Sequence, residues 1–141
     1  MHRVKVISGT DASPEGQAPR PDARELWVLV VDDDEATRSA LAEMLTEFGA
    51  RVSTAEDGEE ALALVRQRMP KVALVDLVMP RRDGWSFISA LRQLPGGEGV
   101  AVVSMTAHGG AALARAPVSQ GYLAKPVSLD RLLDTVARLG R

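Results

Sequence analysis

The chain has 141 residues, 45% of them hydrophobic, with 19 acidic side chains against 17 basic ones and a net charge of −2. That supports a single domain whose core is aliphatic, because aromatic residues make up only 4%. The charge gives no electrostatic ground for nucleic-acid binding, and zero cysteines exclude disulfides, thiol catalysis and Cys-ligated zinc.

Residues 1 to 25 are rich in Gly, Pro, Ser, Asp and Arg, with Pro14, Pro19 and Pro21 close together, and predict a flexible tail or linker ahead of a domain over residues 26–141. Val4, Val6 and Ile7 offer material for a short extra strand, although the tail is preferred. Met1 to Ile7 lacks the apolar centre of a signal peptide, and no apolar run is long enough to span a membrane. A soluble cytoplasmic protein is therefore expected, with no direct contact to membrane or nucleic acid.

Trp27-Val28-Leu29-Val30-Val31 reads as a strand buried on both faces, and it runs straight into Asp32-Asp33-Asp34-Glu35. Packed carboxylates repel one another and are costly to hold away from water. A hard divalent cation would offset that cost. A solvated acidic turn that caps the next helix would also suit this segment, which alone does not separate the two.

Farther on, Leu41, Met44, Leu45 and Phe48 follow the i, i+3, i+4, i+7 spacing of an amphipathic helix that ends at Gly49. Arg51 to Ala55 predicts a short strand, and Gly58 to Arg68 a helix with Ala61, Leu62 and Val65 inward. Val72 to Leu77 predicts a second buried strand that ends around Asp76. Gly84 to Leu94 predicts a helix bearing Phe87, Ile88 and Leu91, and Val100 to Ser104 a third apolar strand. Tyr122 to Ala124 is a short strand before Lys125-Pro126. Ser128 caps a last helix, in which Leu129, Leu132, Leu133 and Val136 face inward and Val127 staples onto Leu132. Five strands alternating with helices predict parallel βαβ units wound on both faces of one sheet. The fourth helix fits poorly: Gly109 and Gly110 at its start and Pro117 at its end leave about two turns at most. It is expected to be short, mobile or partly unwound.

In a parallel sheet the strand ends of one polarity share an edge, so residues distant in sequence converge there. Those residues are Asp32, Asp33 and Asp34, then Asp76, Thr106 after the fourth strand and Lys125 after the fifth. Carboxylates suit Mg²⁺, while a hydroxyl and an ammonium suit phosphoryl oxygens. Taken singly, Thr106 would cap a turn, Lys125 would be a surface lysine and Tyr122 would pack an edge. Asp76 differs, because an acid directly after Val72-Ala73-Leu74-Val75 needs a partner under any assignment.

Four segments in order, VVDDDE, ALVDLVMPRRDGW, SMTAH and YLAKP, make the chain from about Leu26 to Leu139 resemble the receiver domain of two-component response regulators, of the chemotaxis-regulator kind. The resemblance implies an α/β, flavodoxin-like (βα)5 fold, a doubly wound five-stranded parallel sheet of order 2-1-3-4-5. It implies that Asp76 accepts a phosphoryl group, and that Asp33 binds Mg²⁺ directly while Asp32 acts partly through water. Val78 would lend the metal a backbone carbonyl. Thr106 and Lys125 would bind the phosphoryl oxygens, and Tyr122 would turn inward as Thr106 moves. Asp34 would serve the helix start.

Pro80, Asp83 and Gly84 would shape the loop after Asp76, and Lys125-Pro126 matches the family's cis peptide bond. The implied partners are a sensor histidine kinase or a histidine phosphotransfer protein and a downstream protein target, with a homodimer left open. No turnover of other substrates is implied beyond Mg²⁺-dependent self-phosphorylation and self-dephosphorylation. The resemblance implies that the phosphoryl lifetime is tuned at the positions of Val78 and His108. An apolar Val78 predicts slow self-hydrolysis unless His108 supplies a polar group, and small Ala107 leaves the site open to donors.

Two other readings make different demands on these residues. A haloacid-dehalogenase-type phosphatase needs its nucleophile on the first strand in a D-x-D-x-T pattern, which Asp32 to Thr37 does not match. A receiver-shaped module that works without phosphate would not require these residues. The chain ends at Arg141, straight after the last helix, so a DNA-binding output domain has no place in it; a piece cut from a longer kinase or regulator is left open.

Overall fold

Three helices start by the same device, a short polar side chain that accepts a hydrogen bond from a backbone N–H three residues on. Asp34 accepts from the Thr37 N–H, Asp57 from Glu60 and Ser128 from Arg131. Glu60 answers by accepting from the Glu56 N–H at 2.6 Å, so the turn ahead of that helix is tied at both ends. The first of these helices ends at Gly49, whose φ of 110° lies in the left-handed region that glycine enters without a Cβ penalty.

In this computed structural model, residues 7–8, 26–77, 84–106 and 119–140 are described. The elements are β1 (Ile7–Ser8), β2 (Trp27–Val31), α1 (Glu35–Phe48), β3 (Arg51–Ala55), α2 (Gly58–Gln67), β4 (Val72–Asp76), α3 (Gly84–Gln93), a 3₁₀ turn (Gly97–Gly99), β5 (Ala101–Thr106), β6 (Gly121–Ala124) and α4 (Leu129–Leu139). The expected fourth helix lies outside the described residues, as do Val78, Pro80, Asp83, Ala107 and His108.

The sheet order is β1-β3-β2-β4-β5-β6. Strands β2 to β6 pair in parallel, and counted from β2 they run 2-1-3-4-5, as expected. The expected five-stranded sheet gains a sixth strand. β1 pairs antiparallel with β3, Ile7 opposite Val52 and Ser8 opposite Arg51. The short extra strand that Val4, Val6 and Ile7 suggested thus forms at Ile7–Ser8, inside the segment assigned to a tail.

The continuous apolar run of β2 is explained by its two neighbouring layers. Val28 and Val30 pack with Leu41, Ala42 and Leu45 of α1 and Leu132 and Val136 of α4. Leu29 and Val31 point the other way, into Ala61, Leu64 and Val65 of α2 and Phe87, Ile88 and Leu91 of α3. A strand covered on both faces has no side to leave polar. Val127 and Leu132 join the same cluster, in keeping with the staple the sequence suggests.

Every parallel strand delivers its carboxyl end to one edge. Asp76 closes β4, as expected. Thr106 is the last residue of β5 rather than a residue beyond it, because β5 extends two residues past Ser104 and pairs Thr106 with Ala124.

Candidate functional site

β2 ends at Val31, and the next residue, Asp32, is fully buried. Its N–H donates to the Ala55 carbonyl at 3.1 Å, which carries the sheet pairing one residue past the strand. Its Oδ1 accepts from the Asp34 N–H at 2.9 Å. Its Oδ2 faces Lys125 Nζ at 2.7 Å, as an ion pair without an aligned hydrogen bond. Asp34 is spent on the cap of α1. The Thr37 hydroxyl and N–H hold its carboxyl below the usual carboxylate range against an opposing cost of desolvation, and Lys125 and Arg38 add lesser lowering effects. Asp33, between them, is exposed, and among the described residues its side chain makes no hydrogen bond or ion pair.

Asp76 is 5% exposed at the end of β4. Its Oδ2 accepts from Lys125 Nζ at 3.0 Å, so one ammonium bridges two buried carboxylates from neighbouring strands. Burial pulls the Lys125 ammonium down, but Asp32 and Asp76 outweigh it and raise the group above 10.5. The lysine reaches them from the end of β6, where Lys125-Pro126 is a cis peptide bond and the Lys125 N–H donates to the Thr106 carbonyl at 3.0 Å. Thr106 itself is 1% exposed at the same edge. Tyr122, two residues before Ala124 on β6, is 45% exposed and lies outward.

The structure therefore brings together Asp32, Asp33, Asp76, Thr106 and Lys125, and keeps Tyr122 on the outer surface. Asp32, Asp33 and Asp76 offer carboxylate oxygens that lie within 4.8 Å of one another. An all-oxygen set of this kind suits a hard divalent cation. The donors also fit such an ion individually: among the described residues Asp33 has no hydrogen-bond or ion-pair partner, and the buried Asp32 Oδ2 lacks an aligned donor. The Val78 carbonyl lies outside the described residues.

Two supporting features were not read from the sequence. A Cβ on Gly84 would sit 2.2 Å from the Asp76 carbonyl oxygen and 2.8 Å from Val75 Cγ1. Gly84 opens α3 as the sequence predicts, and its missing Cβ also lets that helix abut the acceptor strand. Arg92, at the other end of α3, donates to the Gly97 and Val100 carbonyls at 2.7 and 2.9 Å and to Gln120 Oε1 at 3.2 Å. Gln120 Oε1 in turn accepts from the Val102 N–H at 2.8 Å, and the Ser104 and Ser119 hydroxyls are 2.7 Å apart. These contacts tie the approach to β6 onto β5. Only the glycine left a trace in the sequence, as the Gly-Trp start of a helical period.

Comparison with known proteins agrees with this geometry. The family described as the response regulator receiver domain matches residues 28–137. The chain belongs to that family. It is 31% identical over 114 residues to a probable chemotaxis protein CheY of Rhizobium etli, covering 78% of this chain and 88% of that protein. It is 36% identical over 117 residues to the response regulator MprA of a Mycobacterium species, covering 81% of this chain but only 50% of MprA. The chain thus spans about half the length of that regulator. Among solved structures, a putative response regulator of Chloroflexus aurantiacus superposes with a TM-score of 0.77 at 28% identity, covering 82% of this chain and 98% of that one. The chemotaxis response regulator CheY4 of Vibrio cholerae superposes at 0.75 and 29% identity, with the same coverage.

Proposed function

We propose that this receiver domain accepts a phosphoryl group on Asp76 from the phosphohistidine of a sensor histidine kinase or a histidine phosphotransfer protein, and that acceptance reshapes a protein-binding surface. The observation that carries this is the Lys125 ammonium, 2.7 Å from Asp32 and 3.0 Å from Asp76, beside Asp33, which makes no hydrogen bond or ion pair among the described residues.

An Asp76 carboxylate oxygen attacks phosphorus, the bond from phosphorus to the imidazole nitrogen breaks, and the imidazole leaves with that electron pair. The product is an acyl phosphate. Asp32, Asp33 and Asp76 are the residues that would hold Mg²⁺, which when bound screens the charge between the carboxylate and the incoming phosphoryl oxygens. Lys125 is already in place to follow the charge from the carboxylate to the new group, which carries about −1.5 to −2. Thr106 stands at the same edge to donate its hydroxyl to a phosphoryl oxygen. As it moves, Tyr122 leaves its outward position, and the face around β6 and α4 changes shape. This is a shift between two populations, so the phosphoryl group must favour one of them.

The chain's own chemistry ends at self-phosphorylation and self-dephosphorylation, and the setting is the cytoplasm. Among the described residues no helix is long and apolar enough to cross a membrane.

The test is acetyl phosphate with Mg²⁺, wild type against Asp76→Asn, read by intact mass. Addition of one phosphoryl group to the wild type alone is expected. Equal labelling of both proteins would place the acceptor elsewhere, and no labelling of either would favour a phosphate-independent interaction module.

A further inference from the structure

Asp33 is exposed, and among the described residues no hydrogen bond or ion pair aims its side chain. Its direction depends on the two peptide planes that flank it. The plane before it carries the Asp32 carbonyl, and that oxygen accepts from Arg38 NH1 at 2.8 Å. The plane after it carries the Asp34 N–H, which donates to Asp32 Oδ1 at 2.9 Å. Each plane is therefore clamped by one hydrogen bond, and the backbone angles of Asp33 are set between them.

We infer that Arg38 is a positioning residue of this site: its guanidinium fixes the Asp32–Asp33 peptide plane and so points the Asp33 carboxylate at Asp76. The inference rests on the proposed Mg²⁺-dependent function for its consequence, but the clamp itself does not need the metal. Arg38 suits the task because it is anchored in the first turns of α1. Its own N–H donates to the Asp34 carbonyl at 2.9 Å, and the Asp34 cap fixes the start of that helix. A planar guanidinium is also the side chain that holds a carbonyl with the least freedom to swing.

A second effect of Arg38 has the opposite sign, and this makes the two separable. The arginine is a cation beside Asp32 and Asp34, in the run that forms the carboxylate cluster. Removing a cation from such a cluster strengthens its attraction for Mg²⁺. Removing a clamp weakens binding, because the loop must then be ordered when the ion arrives. The geometry favours the clamp, since the guanidinium meets a backbone carbonyl and not a carboxylate.

Arg38→Met and Arg38→Lys are the variants. In the metal-free proteins, amide exchange at Asp33 and Asp34 should rise about tenfold in Arg38→Met while the β2 amides keep their protection. Mg²⁺ affinity by calorimetry should fall about tenfold, with the labelling rate at saturating Mg²⁺ within about twofold of wild type. Arg38→Lys, which keeps the charge and one donor, should lie between wild type and Arg38→Met in both measurements, and it carries the test if Arg38→Met does not fold.

Unchanged exchange at Asp33 and Asp34 in the metal-free variants would overturn the clamp, whatever the metal does. Tighter Mg²⁺ binding by Arg38→Met would likewise overturn it in favour of charge alone. If wild type takes up no Mg²⁺ while the exchange difference persists, the clamp stands and the proposed function falls.

Discussion

The two ends of the sheet are built from the same strands by opposite means. At the amino end, Trp27 is flanked by Arg68, 4.2 Å from the ring centroid, and Arg51, 5.6 Å away. There the Arg51 N–H donates to the Leu26 carbonyl and the Lys71 N–H to Trp27. Both arginines lie over the indole ring, and among the described residues no carboxylate is buried at this end. At the carboxyl end, Asp32 and Asp76 are buried beside Asp33, with Lys125 as the shared cation. One end contributes packing. The other holds charge that a packed core would not choose, which is where a chemical task is expected to lie.

The largest blow to that contrast should come from the junction of the two regimes. Gly84→Val places a branched side chain where a Cβ alone would already sit 2.2 Å from the Asp76 carbonyl oxygen. A stability loss of about 3 kcal/mol is expected in urea denaturation, together with loss of acetyl phosphate labelling. A loss below about 1 kcal/mol would mean that α3 is not pressed against the acceptor strand.

Lys125→Met should cost about 2 kcal/mol, because it strands two buried carboxylates. Its pH dependence sharpens the point. The folded-state value of Lys125 lies above its ordinary 10.5, so the contribution is whole below pH 10.5 and is lost as pH rises through the folded value. The gap between wild type and Lys125→Met should be flat from about pH 7 to 10 and close above that. A gap that closes near neutrality would assign the ion pair to another group.

Trp27→Ala at the opposite end should also cost about 2 kcal/mol, through lost burial and lost cation–π contact. The labelling rate of Asp76 should nevertheless stay within about twofold. A tenfold change would show that the two ends are not independent.

The smallest effect runs the other way. Asp33→Asn removes a repelling charge, so the metal-free protein should melt about 1 °C higher at low salt while losing its Mg²⁺-dependent stabilisation. A lower melting point would mean that Asp33 has a structural partner.

Much of this was legible in the residues. The unbroken apolar runs of Val28–Val31 and Val72–Val75 announce strands covered on both faces, and the strand ends then select the converging polar residues. Division of labour within Asp32-Asp33-Asp34 needed coordinates. Only the turn geometry decides that Asp34 is spent on a cap, that Asp32 gives Oδ1 to the Asp34 N–H and turns Oδ2 to Lys125, and that Asp33 makes no hydrogen bond or ion pair among the described residues. Arg38, Arg92 and Gln120 were illegible for another reason. Each acts by donating to, or accepting from, a backbone group that any residue type would supply, so no pattern in sequence marks the partner. The strand at Ile7–Ser8 was hard to read because two residues cannot express a period of two.

That brief strand matters for what the protein avoids. The outer margin of β3 is a row of backbone donors and acceptors of the kind that recruits strands from other molecules. Ile7 and Ser8 occupy its beginning, opposite Val52 and Arg51, and do so in the antiparallel sense. An incoming copy must displace a segment tethered to the same chain, at a local concentration no free molecule can match. Ile7 and Ser8 thus cover the start of the edge along which a foreign strand would otherwise begin to pair.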